Sequence, residues 1–115
     1  MAAEKRRHPR VPCELGSSYN EFEPSSPRRH SETNVQDISE GGIRFRTPYF
    51  IPVQNRLMFK INIPNQKIVD AMVQSAWIRE VPRLSQYEIG ARFLSLSEED
   101  RGVIRQFTSG AYARA

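Results

Sequence analysis

The sequence predicts a mainly β domain: a six-stranded antiparallel β-barrel with a C-terminal α-helix. Three observations predict it. Apolar residues alternate with polar ones along several short runs. Prolines and glycines break the chain between those runs. A cluster of acids after Ser97 opens a segment of helical spacing. At 115 residues the chain is one domain, long enough to bury roughly two-thirds of its unfolded surface around a small core.

The elements are taken in chain order. Residues 15–22 and 34–37 are the weaker strand candidates. "GIRFRT" (42–47) sets Ile43 and Phe45 inward and Arg44 and Arg46 outward. "LMFKINI" (57–63) sets Leu57, Phe59, Ile61 and Ile63 on one face and Met58, Lys60 and Asn62 on the other. "KIVDAMVQSAWIREV" (67–81) places Val69, Ala71, Val73 and Trp77 together, and "YEIGARF" (87–93) opposes Tyr87, Ile89, Ala91 and Phe93 to Glu88, Gly90 and Arg92. A period of two means half-buried strands with one wet face. Turns fall at Pro24 to Pro27, Pro48, Pro52, Pro64-Asn65 and Pro82, as the fixed φ of proline favours. "EPSSPRRHSE" (23–32) reads as an exposed loop. Ser97 is the helix cap, Glu98, Glu99 and Asp100 complement the helix dipole, and Asp100 holds the capping-box position. Val103, Ile104 and Phe107 share the face that packs on the barrel, and Gly110 weakens the helix end. The organisation is thus a flexible basic arm over 1–10, a barrel over 11–96 and a helix over 97–113.

Charge is concentrated at one end. The net charge is +4, and residues 1–10, with four basic side chains and one acid, carry +3 of it. That pattern favours a local anionic partner over a polyanion spread across the whole surface. No apolar run approaches the ~18 residues of a membrane span, and no apolar stretch succeeds the charged start, so the expectation is a cytoplasmic protein without membrane insertion. Cys13 is the single cysteine, which leaves no disulfide framework and no thiolate metal site. His8 and His30 lack ligand-spaced partners, and Ser39 lacks the context of a nucleophile elbow. The acids at 98–100 are explained by helix capping. No enzyme is expected.

Two short patterns remain: "RRHPR" at 6–10, with Arg6 and Arg10 four apart and Pro9 opposing a helix, and "DISEGG" at 37–42. Gly41 and Gly42 permit positive φ or a close backbone approach. Ser39 offers a donor and an acceptor, and ionised Asp37 offers acceptors. Read alone, the second pattern is better explained as a glycine turn in a hairpin, with Asp37 and Ser39 making local backbone bonds. Together, RxxxR followed by DxSxxG resembles the PilZ domain, a family of bacterial cyclic di-GMP receptors. "VQSAWIRE" and "YEIGARFLSLSEED" resemble that family's later strands and helix start. Arg7 is followed four residues on by Val11, so the register selects Arg6 and Arg10.

The resemblance implies the six-stranded barrel already read from the pattern, and a cyclic di-GMP site formed by Arg6, Arg10, Asp37, Ser39 and Gly42, with Lys5, Arg7 and Gly41 secondary. Arginine is always charged and forks two bonds onto a phosphate or the O6/N7 edge of guanine. Asp37 can accept from guanine N–H groups, Ser39 can bond a polar edge, and Gly42 keeps the wall low. The implied function is second-messenger signal transduction: the ligand orders the arm, and the changed surface acts on a downstream protein. Lys5 at the rim favours two ligands per chain. The expected state is a monomer or weak homodimer, with no cofactor, metal or specific nucleic acid. One alternative is a PilZ-like scaffold that binds protein and no cyclic di-GMP. Another is a basic barrel for single-stranded nucleic acid, which the placement of Phe45, Phe59 and Phe93 on the core face disfavours.

Overall fold

The computed structural model describes residues 10–22 and 29–114. Six strands succeed one another: β1 (Val11–Glu21), β2 (His30–Ile38), β3 (Gly42–Thr47), β4 (Arg56–Asn62), β5 (Ile68–Val81) and β6 (Gln86–Ser95). A short 3-10 helix, Pro82–Leu84, joins β5 to β6, and α1 (Glu98–Arg114) ends the chain. Every pairing is antiparallel, and the order β1-β2-β3-β6-β5-β4 closes on itself through β1 and β4. This is the barrel with a C-terminal helix that the alternation predicts.

The core obeys the same period. Leu57, Phe59, Ile61, Ile43, Phe45, Val69, Ala71, Val73, Ile89 and Ala91 are all buried. Tyr19, Phe45 and Phe59 meet at the centre with ring centroids 4.8–5.4 Å apart. Such pairs contribute about 0.5–1.5 kcal/mol each beyond their buried area. The Tyr19 hydroxyl hydrogen-bonds Thr47 Oγ1 at 2.7 Å, which satisfies both polar groups inside the barrel. Asn65, in the β4–β5 connection, has φ of 63°, a left-handed turn position that asparagine tolerates.

The helix is capped as its sequence predicts. Asp100 N–H donates to Ser97 Oγ at 3.0 Å, and Ile104 is buried with Val103 and Phe107 partly buried beside it. The Asp100 carboxylate does more than fill the first turn. Its Oδ2 accepts from Asp70 N–H at 3.2 Å and its Oδ1 pairs with Lys67 at 2.8 Å, tying the helix start to β5.

Four expectations are corrected. β1 and β2 are longer than the weak candidates at 15–22 and 34–37, because polar side chains on their outer faces hide the alternation. His30, Ser31 and Glu32 belong to β2, so the loop is shorter than 23–32. Trp77 does not lie on the core face. Ser75 pairs with Ala91 and Trp77 with Gly90, so Ala76 is an extra residue in β5. The bulge inverts the facing of the strand beyond it: Ser75 is buried, and Trp77 turns outward. Glu88 is on the outer face as expected, yet it is only 3% exposed.

Candidate functional site

Register fixes which outer-face residues meet. Asp37 stands opposite Arg44, Arg44 opposite Gly90, and Gly90 opposite Trp77, so these four form a row across β2, β3, β6 and β5. Arg46, Glu88 and Arg79 form the adjacent row. On the other side Gly42 stands opposite Arg92, whose Nη2 donates to Gln74 Oε1 at 2.6 Å.

Arg10 joins the end of the first row. Its Nη1 donates to Asp37 Oδ1 at 3.1 Å, while Arg44 Nε donates to Asp37 Oδ2 at 2.7 Å. Arg44 Nη1 also donates to Glu88 Oε2 and to Gln36 Oε1. Arg79 donates to Glu88 Oε1, and Arg46 Nε lies 3.5 Å from Glu88 Oε2. Burial alone would push the Glu88 carboxyl up, but bonds from Arg79 and Arg44 outweigh it and hold the group below the usual carboxylate range. The Arg44 guanidinium is pushed further above its ordinary value, first by its bond to Asp37. Beneath this surface the Cys13 thiol is pushed up to about 12, first by burial and then by the Asp37 charge, against the opposing pull of Arg44.

The turn between β2 and β3 is closed by Ser39 N–H donating to the Gly42 carbonyl at 2.9 Å. The Ser39 side chain is buried, and its oxygen accepts from Gly41 N–H at 3.0 Å. Neither glycine has positive φ, so the turn does not use that freedom. Gly42 is needed for closeness: a Cβ there would lie 2.2 Å from the Ala91 carbonyl oxygen. The turn is also held from two other elements. Phe93 N–H donates to the Gly41 carbonyl at 3.0 Å. From α1, Arg101 donates to the Glu40 carbonyl at 3.4 Å, and Arg105 pairs with the Glu40 carboxylate at 3.3 Å.

The structure therefore brings Arg10, Asp37, Ser39, Gly41 and Gly42 to one end of the barrel. Lys5, Arg6 and Arg7 lie outside the described residues. Arg44, Glu88, Arg79 and Glu40 were not singled out from sequence. Alternation shows Arg44 and Glu88 facing outward but sets Arg79 on the same face as Trp77, and only the bulge in β5 with the β3–β6 and β5–β6 register brings the three together. Trp77 lies across Gly90, where an added Cβ would meet the indole Nε1 at 2.1 Å. The surface thus offers guanidiniums for phosphates, a carboxylate for N–H donors and an aromatic face for a flat ring. Among the described residues no group of three or more His, Cys, Asp or Glu can hold a metal ion, and no helix is long and apolar enough to cross a membrane.

The family model described as "PilZ domain" matches residues 4–110 of this chain. No curated protein matches it. Among solved structures, the Bacillus subtilis inhibitor of motility MotI/DgrA superposes with a TM-score of 0.82 at 15% identity, over 96% of this chain and 53% of that one. The PilZ domain of Escherichia coli YcgR with c-di-GMP gives 0.71 at 14% identity, over 96% and 94%. The K. pneumonia MrkH–c-di-GMP complex gives 0.77 at 14% identity, over 97% and 53%. The chain thus spans about half the length of the first and third of these proteins. At such identities the superpositions establish the fold.

Proposed function

The chain belongs to the PilZ domain family, and from that premise we propose that it is a non-catalytic receptor for cyclic di-GMP acting in the bacterial cytoplasm. The observation that carries the proposal is the contact of Arg10 with Asp37 beside the Ser39–Gly42 turn. Arg10, the last residue of the first pattern, meets Asp37, the first of the second, 27 positions on. Two of the similar structures, YcgR and MrkH, are complexes with c-di-GMP.

In this reading Arg10 exchanges its bond to Asp37 for a ligand phosphate or guanine edge, and Arg6 takes the corresponding place from the arm. Asp37 then accepts from guanine N1–H and N2–H₂, and Ser39 donates its hydroxyl proton to a polar edge. The low backbone at Gly41 and Gly42 admits the ligand, and Lys5 and Arg7 add positive charge at the rim. The arm draws onto the barrel as the ligand binds, and the altered surface engages a downstream protein.

Calorimetric titration with cyclic di-GMP tests this. The parent chain binds, and Arg10→Ala and Asp37→Ala each weaken binding about ten- to a hundred-fold, as loss of a charge-assisted contact worth about 1.5–3 kcal/mol requires. Cyclic di-AMP has the same phosphates but presents an amino donor where guanine has O6. It binds at least about a hundred-fold more weakly if the base edge is read twice. A parent chain that binds neither dinucleotide would leave the protein-binding scaffold as the function.

A further inference from the structure

Around the candidate site most guanidiniums are compensated by acids. Arg10 and Arg44 pair with Asp37, and Arg46 and Arg79 pair with Glu88. Arg92 differs. It is exposed on β6, and no acid among the described residues pairs with it. Its Nε and Nη2 both donate to the amide oxygen of Gln74, at 3.2 Å and 2.6 Å. An amide carries no net charge, so the positive charge of Arg92 stays uncompensated. A guanidinium has five N–H donors in a fixed fork. The side edge, Nε with Nη2, rests on Gln74. The end-on edge has no second partner among the described residues.

Register places this charge beside the turn. Arg92 stands opposite Gly42, and its Cα lies 3.1 Å from the point that a Gly42 Cβ would occupy. The next residue, Phe93, donates its N–H to the Gly41 carbonyl at 3.0 Å. β6 is therefore fastened to the turn at the residue that bears the charge. Residues directly opposite share a face of the sheet, so Arg92 lies on the same outer face as Arg44, one pair nearer the turn. Gly42 carries no side chain, so β3 raises none in this row. Asp37, on β2, is two strand spacings away, about 10 Å. A nucleotide has its base at one end and its phosphate at the other. With the base on Asp37, its phosphate reaches toward β6.

We propose that Arg92 is a further ligand-binding residue of the nucleotide site and takes a phosphate of the dinucleotide through its guanidinium fork. The inference rests on the cyclic di-GMP reading above. It adds to that site a residue outside both sequence patterns, 55 positions beyond Asp37. The exchange favours the ligand: a bond to a neutral amide gives way to a charge-assisted pair with an anion. Arg92 is already exposed and breaks no ion pair to make it.

The test is calorimetric titration of the full chain with cyclic di-GMP, with thermal unfolding of each variant alongside. Arg92→Gln weakens binding about ten-fold, the loss of one charge-assisted contact. Arg92→Lys keeps the charge but not the fork, and its affinity falls between those of the parent and Arg92→Gln. Gln74→Ala leaves the guanidinium in place and binds as the parent does. Cyclic di-AMP loses the same factor on Arg92→Gln, because its phosphates are the same. Parent-like affinity of Arg92→Gln overturns the proposal. So does parent-like affinity of Arg92→Lys, since charge acting at a distance then accounts for the whole effect. If Gln74→Ala and Arg92→Gln lose stability and affinity together, the pair is structural, and the contact is overturned as well. A smaller loss for cyclic di-AMP than for cyclic di-GMP assigns Arg92 to guanine and overturns the phosphate contact. Absence of binding by the parent chain is a different failure: it removes the cyclic di-GMP reading, and the role of Arg92 with it.

Discussion

Gly42→Ala separates the two reasons a glycine can stand in the turn. A Cβ at this position would lie 2.2 Å from the Ala91 carbonyl oxygen, 3.1 Å from Arg92 Cα and 3.2 Å from the Ala91 carbonyl carbon. All three are backbone atoms of β6, so no side chain can turn aside. Ordinary C···O contacts begin near about 3.3 Å, so β3 and β6 must part by about 1 Å at this point. The neighbouring bond from Phe93 N–H to the Gly41 carbonyl is 3.0 Å long and does not survive that displacement. Overpacking costs about 1–3 kcal/mol, and a lost backbone bond adds about 1 kcal/mol. The total is about 2–4 kcal/mol. With a urea dependence of about 2 kcal/mol/M, the unfolding midpoint falls by about 1–2 M. Gly41→Ala is the control: its Cβ meets only Ser39 Oγ at 3.7 Å, and its φ is not positive. Its stability stays within about 0.5 kcal/mol of the parent. Equal midpoints for Gly42→Ala and the parent would refute the reasoning, and the glycine would then be required by the ligand alone.

Other outcomes rest on the same surface. Glu88 titrates below its ordinary value of about 4.5, so it contributes stability above that pH, and the contribution is lost as pH falls through the lower folded value. Thermal melts between pH 6 and pH 3 therefore show a loss that Glu88→Gln lacks in part. The Cys13 thiol, pushed up to about 12, resists alkylation at pH 8 in the folded chain and reacts on unfolding, which a thiol titration with and without denaturant measures. Gly90→Ala drives the indole of Trp77 off β6. The atoms met belong to one partly exposed side chain, so stability changes little while the emission of the single tryptophan shifts to longer wavelength.

The fold was legible because the barrel obeys a simple period. β3 and β4 match their sequence runs almost residue for residue, and Ser97 caps the helix as its spacing demands. Trp77 escaped because one extra residue reverses every side chain after it, and a bulge leaves no mark in a pattern of two. The site was legible in part. Arg10, Asp37, Ser39, Gly41 and Gly42 assemble, and the turn is as local as its sequence suggests. The arginine network was not legible, since Arg44 and Glu88 lie 44 positions apart and meet only through strand register. A buried acid on an outer face also contradicts the rule that outward means wet. Three guanidiniums stand where water would.

The latch from Glu40 to Arg101 and Arg105 has a consequence for how the protein is made. The turn at 39–42 leaves the ribosome early, but the residues that seat it arrive much later: Arg92 and Phe93 on β6, then Arg101 and Arg105 on α1. Contacts that span about 50 to 65 positions are entropically slow to close. During synthesis the turn at 39–42 therefore exists as sequence well before it exists as shape. A nascent chain halted ahead of residue 101 carries both signature patterns and lacks the helix that holds the turn in place.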